Sequence, residues 1–196
     1  TTRYTRTHSN LDNAGGAGGD DPNRFIRNDE FFTRGDVQIN LLSDKLTPQA
    51  YLAYTRHNLD DVNDPDANSL DVLDSRYSGD IVTTGAKLKW SPAHWASALL
   101  GAETQAERAD STYYSDGLFG PYEDILYGRQ ARTNSVFGEA KLSYEDIAHL
   151  DAGLRHDDHS IFGNRTTFKV APALHVTTTT KLKGSVGTGF KAPSLV

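Results

Sequence analysis

The sequence predicts an all-β fold, an antiparallel up-and-down transmembrane β-barrel, and three observations support this. Apolar and polar residues alternate through about nine segments, which is the period of strands with one apolar face. The opposite face carries charged side chains near the middle of several segments, which suits a polar lumen. Short turns alternate with long polar loops along the chain, so the turns and the loops are expected at opposite ends of the sheet.

Composition narrows the classes of protein that this chain can represent. The 196 residues are 37 % apolar and carry a formal net charge of −6, which disfavours nucleic acid as a partner. There is no cysteine, so disulfides and thiolate sites are excluded. No stretch approaches the roughly 20 apolar residues of a membrane helix. The first residue is not Met and no signal peptide is visible, so we expect an internal part of a longer protein.

The predicted strands follow the alternation of apolar and polar residues. They are Thr1–Asn10, Phe31–Leu42, Gln49–Asn58, Tyr77–Trp90, Trp95–Arg108, Gln130–Tyr144, Ala148–Asp158, Thr166–Thr177 and a closing strand that starts at Lys181. The segment from Trp95 is rich in alanine, which also favours a helix, but its polar alternation and its neighbours favour a strand. Pro193 ends the closing strand because proline has no N–H for a ladder.

The connections are predicted to be of two kinds. Tight turns are expected at Ser43–Lys45, Ser91–Ala93, Glu145–Asp146 and Thr178–Thr180, and long loops at Leu11–Glu30, Leu59–Ser75 and Ala109–Gly128. Trp90, Trp95 and Tyr144 flank the tight turns, where an interfacial aromatic girdle is expected. A soluble β-sandwich shares the alternation. The apolar rows here are rich in Ala, Gly and Thr, however, whose side chains are small for the core of a sandwich.

Two segments resemble the barrels of TonB-dependent outer-membrane receptors. They are Gly-Thr-Gly-Phe-Lys-Ala-Pro-Ser-Leu at 187–195 and, before it, Asp151–Gly163, which contains Arg-His-Asp-Asp-His-Ser-Ile-Phe-Gly. Asn28–Phe31 and Tyr54–Asp60 are similar, more loosely, to strands that flank acidic loops in the family's cobalamin (vitamin B12) receptors.

The resemblance implies more than a fold. It implies a barrel of about 22 strands, plugged by an N-terminal domain, in the lipid of the Gram-negative outer membrane. Such a receptor imports a large scarce ligand such as cobalamin or another corrinoid, and TonB acts on it through the plug. Residues 1–196 are then expected to be one partial barrel domain, about nine strands from the middle of the receptor, without plug and without enzymatic activity.

Acidic residues of the first two predicted loops are candidate metal ligands. They are Asp12, Asp20, Asp21, Asp29, Asp60, Asp61, Asp64 and Asp66. Calcium takes several oxygen ligands from flexible loops. The cobalamin receptors also use acidic loops for calcium, so the resemblance implies a calcium site here. The spacing is not that of an EF-hand, and solvated acidic loops remain the alternative.

A second candidate site is an aromatic loop that could stack on a large planar ligand. Its residues are Tyr113, Tyr114, Phe119 and Tyr122, which could equally pack the loop on itself. The run from His156 to Ser160 suggests a triad, but neighbours in a strand point to opposite faces, which favours a polar strand end. The other histidines lack ligand spacing. Siderophore, haem or metal-chelate receptors and a soluble calcium-binding β-module remain alternative functions.

Overall fold

The computed structural model describes residues 1–14, 20–67, 70–145, 147–192 and 195, without the side chains of 12–14 and 20–22. These residues form ten strands. The strands are β1 (Thr2–Ala14), β2 (Asp20–Gln38), β3 (Leu46–Asn63), β4 (Val72–Ala93), β5 (Ala96–Asp116), β6 (Tyr122–Tyr144), β7 (Ala148–His159), β8 (Gly163–His175), β9 (Lys181–Lys183) and β10 (Val186–Gly187). Within the described residues, no helix is long and apolar enough to cross a membrane.

The strands form one sheet in chain order. Each strand from β1 to β8 pairs antiparallel with the next, and β9 and β10 both pair with β8. Across the described residues no pairing joins β1 to β9 or β10, so the sheet is open. The all-β, antiparallel, up-and-down prediction is therefore confirmed.

One face of the sheet, the outer face, carries the apolar rows. Leu52, Leu100, Val136 and Leu154 are all more than half exposed there. The opposite, inner face carries the charged residues that alternate with them, such as Glu103 opposite Ser135. The predicted alternation is correct, because apolar residues on these strands share one face.

The inner face is the concave one. The most deeply buried residues of the described chain lie there: Tyr51, Asn63, Gly79, Ala109, Ala131, Ser135, Asp157 and His159. Side chains also meet across an intervening strand on this face, as Tyr51 on β3 and Glu103 on β5 do. Strands two apart are separated by about 9.6 Å, so such contacts require side chains that converge over a concave surface.

The three predicted long loops are mostly strand, and that prediction is wrong in its extent. β2 begins at Asp20, and β3 continues to Asn63. β5 continues to Asp116, and β6 begins at Tyr122. These segments have polar residues on both faces and so lack the alternation that marks a half-buried strand. Backbone ladders and cross-strand ion pairs such as Arg24–Asp61 hold them together instead. The glycines at 15–19 lie outside the described residues.

The tight turns lie together at the other end of the sheet, which we call the tight-turn end. Leu42, Ser43 and Asp44 adopt positive φ in the first turn, and Glu145 does so in the third. The second turn lies at 94–95, not at Ser91–Ala93, because β4 continues to Ala93. Asp146 lies outside the described residues. Trp90, Trp95 and Tyr144 are more than half exposed at this end, as the predicted girdle requires.

The closing strand is shorter than predicted. It consists of β9 and β10, which are interrupted at Gly184 and Ser185. Both lie at the edge of the sheet and pair only with β8, and the glycines weaken an edge strand because they offer no side chain to pack. Pro193 and Ser194 lie outside the described residues.

Candidate functional site

A connected set of polar side chains, the inner network, crosses the middle of the concave face. Its members are Arg34, Tyr51, Glu103, Ser135, Arg155 and Asp157. Tyr51 donates its phenolic hydrogen to Glu103, and the guanidinium of Arg34 lies 4.4 Å from the centre of the Tyr51 ring. The network therefore links β2, β3 and β5 to strands farther along the sheet.

Arg155 on β7 is the most heavily bonded member of the inner network. Its Nε donates to Asp157 at 2.8 Å, and its Nη2 donates to Ser135 at 2.8 Å and to Glu103 at 3.3 Å. Ser135 in turn donates to Asp157 at 2.6 Å. Charged hydrogen bonds of this kind are stronger than neutral ones. They satisfy the two carboxylates of the network, Glu103 and Asp157, so the network is a wall of the lumen with few free groups for a ligand.

Glycines make room for the aromatic rings of this wall. A Cβ at position 85 would lie 2.4 Å from the Tyr51 ring, and a Cβ at position 101 would lie 2.4 Å from the Phe137 ring. Both glycines sit directly opposite the aromatic residue on the neighbouring strand. Each ring therefore lies flat over the next strand, which lets Tyr51 reach Glu103 on β5.

A cleft at the loop end, opposite the tight turns, is the best candidate for a ligand site. We call it the rim cleft. It has a volume of about 450 Å³ and is lined by Tyr113, Phe119 and Tyr122 together with Arg24 and Asp71. This combination of aromatic surface with a few polar groups is typical of small-molecule sites.

The structure brings together three of the four predicted aromatic residues. The rings of Tyr113 and Tyr122 meet edge to face at 6.0 Å, and Phe119 projects from the turn between β5 and β6 with 99 % of its surface exposed. Tyr114 alternates with Tyr113 along β5 and therefore points to the opposite face. Phe119 is thus available to a ligand, whereas Tyr113 and Tyr122 also pack on each other.

The predicted acidic ligands do not form one group in the described structure. Asp29, Asp60 and Asp61 lie in strands, and Asp64 and Asp66 lie in the connection after β3. No set of three or more His, Asp or Glu side chains is arranged to hold a metal in the parts that the structure describes. The side chains of Asp12, Asp20 and Asp21 lie outside them, so the calcium site stays a prediction.

Two of these carboxylates are already held by arginines. Arg24 donates two hydrogen bonds to Asp61, from Nε at 2.9 Å and from Nη2 at 2.7 Å. On the outer face beyond the apolar band, Asp29 accepts hydrogen bonds from Arg6 and, at 2.7 Å, from Tyr4. The hydrogen bonds from Arg6 and then Tyr4 lower the pKa of the Asp29 carboxyl. Asp29 is therefore a partner of Arg6 in this state rather than a free metal ligand.

The run from His156 to Ser160 is divided between the two faces, as predicted. His156 lies on the outer face, where its Nδ1 is 2.8 Å from the hydroxyl of Thr166. Asp157 lies on the inner face in the inner network. His159 is 4 % exposed, and its Nδ1 accepts backbone hydrogen bonds from Ile161 and Phe162. This histidine therefore orders the turn between β7 and β8.

The inner network and Arg24 were not predicted as functional residues. The sequence marks Glu103 and Arg155 as polar positions, but their contact crosses a strand and 52 residues of chain. Arg24 and Asp61 fell within segments predicted as loops, where no register could be assigned.

Comparison with known proteins gives the family. Residues 1–196 match the family described as TonB dependent receptor-like, beta-barrel. The vitamin B12 transporter BtuB of Vibrio vulnificus (strain CMCP6) is 29 % identical over 94 residues, which are 48 % of this chain and 15 % of that protein. The match thus covers less than a sixth of the length of this curated relative.

Solved structures support the same fold. The RagAB peptide importer in its open-open state superposes with a TM-score of 0.57 at 16 % identity, and its closed-closed state with 0.56. In both cases the match covers 84 % of this chain and 22 % of the other chain. The family match over residues 1–196 and the open antiparallel sheet indicate the same fold. The chain belongs to the TonB-dependent receptor β-barrel family, whose members are outer-membrane proteins of Gram-negative bacteria.

Proposed function

We propose that this chain forms part of an outer-membrane receptor that imports cobalamin or another corrinoid. The observation that carries the proposal is the 29 % identity to a vitamin B12 transporter over 94 residues. The rim cleft supports it, because an exposed Phe119 beside Tyr122 offers flat aromatic surface to a large, partly planar ligand. TonB, acting through a plug domain, is the proposed source of energy.

The proposal includes calcium as a cofactor of the acidic loop end. Asp60, Asp64 and Asp66 lie near the end of β3, and acidic oxygens are the ligands that calcium prefers. Because the described carboxylates do not converge, calcium would have to gather them as it binds. Such a site would lie next to the rim cleft, which Asp71 lines.

The test is a binding titration of the full-length receptor in detergent. Cyanocobalamin is titrated by calorimetry with calcium and again with a chelator present. The proposal expects saturable binding at one site, weakened by the chelator. Absence of cobalamin binding, together with saturable binding of a ferric siderophore or of haem, would assign the receptor to another ligand class.

A further inference from the structure

The inner face has a second cleft, near the tight-turn end, which we call the basic cleft. It has a volume of about 670 Å³ and is bounded by β6, β7, β8 and β9. Its floor consists of the small side chains of Ala171 and Ala173. Asp151 lies directly opposite Ala171, and His149 and Lys183 lie on either side of Ala173. The longer side chains therefore form walls around a shallow floor.

The walls of the basic cleft carry an excess of positive charge. Lys141, Lys169, Lys181 and Lys183 all line it. Lys141 is satisfied by Glu139, whose Oε1 lies 3.1 Å from its Nζ, whereas Asp151 Oδ1 lies 3.8 Å away, within ion-pair but not hydrogen-bond distance. The described residues place no carboxylate within salt-bridge distance of the other three lysines. Three uncompensated cations therefore share one cleft in a chain whose net charge is −6.

The same cleft contains a buried acceptor that has no donor. Oδ1 of Asp151 is inaccessible to solvent and accepts no hydrogen bond from any described residue. The Lys141 Nζ at 3.8 Å is too distant to donate one. A buried acceptor without a partner costs free energy. A ligand that carries an O–H group could supply the missing donor.

We propose that the basic cleft binds inorganic phosphate. Its negatively charged oxygens accept hydrogen bonds from Lys169 and Lys183, each two positions along β8 from the row of Asp151 and Ala171, while its remaining O–H donates to Asp151. Both features are required together: the lysines select an oxyanion, and the orphan carboxylate oxygen selects one that keeps a proton. A phosphodiester lacks that O–H and fits the cleft less well. This proposal does not depend on which ligand the receptor imports.

The test uses the full-length receptor in detergent, titrated with inorganic phosphate at neutral pH by calorimetry. We expect saturable binding that weakens with added salt, because the cleft is open to solvent. Lys169→Gln and Lys183→Gln should each weaken binding about ten-fold, the lower end of a charged hydrogen bond's contribution. Lys89→Gln is the matched control, since Lys89 lies on the inner face of β4 outside the cleft. It should leave the affinity unchanged.

Three results would overturn the proposal. One is the absence of saturable phosphate binding to the wild-type receptor. Another is an equal loss of affinity in Lys89→Gln and Lys183→Gln, which would indicate a general charge effect. The third is diethyl phosphate binding as tightly as inorganic phosphate, which would remove the role of Asp151. Thermal unfolding followed by circular dichroism checks that each variant is folded, and the two lysine variants give independent readings.

Discussion

Tyr51 on β3 and Glu103 on β5 are joined by a hydrogen bond that passes over the strand between them. The contact is made where β4 has glycine at position 85, because any Cβ there would strike the Tyr51 ring. A curved sheet, an aromatic ring and a glycine thus depend on one another. The concave shape of the inner face at this point therefore depends on the glycine at position 85.

Gly85→Ala should destabilise the barrel. The added Cβ would lie 2.4 Å from the ring, so Tyr51 must move and its bond to Glu103 is lost. We expect a loss of about 1–3 kcal/mol in the free energy of unfolding, as for other overpacked sites. Urea unfolding of the full-length receptor in detergent measures it. Gly35→Ala is the control, since nothing lies within 4 Å of a Cβ there. Equal losses in both variants would contradict the role of the ring.

Arg155→Met should lower the free energy of unfolding by more than the loss of a surface ion pair does. It leaves Asp157, whose side chain is 10 % exposed, without its guanidinium. Breaking a buried pair costs about 3–5 kcal/mol, but Arg155 is 40 % exposed, so we expect about 2 kcal/mol. Urea unfolding measures the loss.

Two further variants check the interpretation of Arg155. Arg76→Met removes a pair with Asp74 whose side chains are 63 % and 40 % exposed, and it should cost less than about 1 kcal/mol. Adding Asp157→Asn to Arg155→Met should recover part of the loss, because the uncompensated charge is then gone. A double variant whose loss equals the sum of the single losses would show that the two residues act independently.

Particular residues show why the fold was largely predictable and the site less so. The alternation of Leu150, Asp151, Ala152 and Gly153 reflects lipid on one side and lumen on the other, and this pattern is local in sequence. The segments around Asp29 and Asp61 carry polar residues on both faces, so the pattern that reveals a strand is absent there. The partnership of Tyr51 with Glu103 depends on sheet curvature, which no local pattern encodes.

The pair of Arg6 and Asp29 should make stability depend on pH. The folded pKa of Asp29 is lowered, because Arg6 and Tyr4 donate hydrogen bonds to the ionised carboxyl. The pair therefore contributes stability above the unfolded pKa of about 4, and the contribution is lost as pH falls through the folded pKa. The difference in unfolding free energy between wild type and Asp29→Asn should shrink on acidification. In an Arg6→Gln background the pH dependence should be weaker, and an unchanged dependence there would contradict the assignment to this pair.

Phe119→Ala should weaken ligand binding without weakening the fold. The side chain is 99 % exposed, so its removal leaves no cavity, whereas an aromatic stacking contact is lost. We expect roughly a five-fold rise in Kd for cyanocobalamin, corresponding to about 1 kcal/mol. Leu70→Ala is the control, since Leu70 is 83 % exposed, does not line the rim cleft and is not aromatic. If both variants bind as the wild type does, the rim cleft is not the ligand site.

Calcium should raise the melting temperature of the full-length receptor through the acidic residues after β3. Bound metal stabilises the folded state, by about 2.7 kcal/mol at a hundred times the Kd. Asp64→Asn combined with Asp66→Asn should reduce the calcium-dependent shift. Asp61→Asn should lower the melting temperature but keep the shift, because Arg24 already holds that carboxylate. Magnesium at the same concentration should have less effect, since it demands a more regular ligand set. A calcium shift that survives the double substitution would place the metal elsewhere.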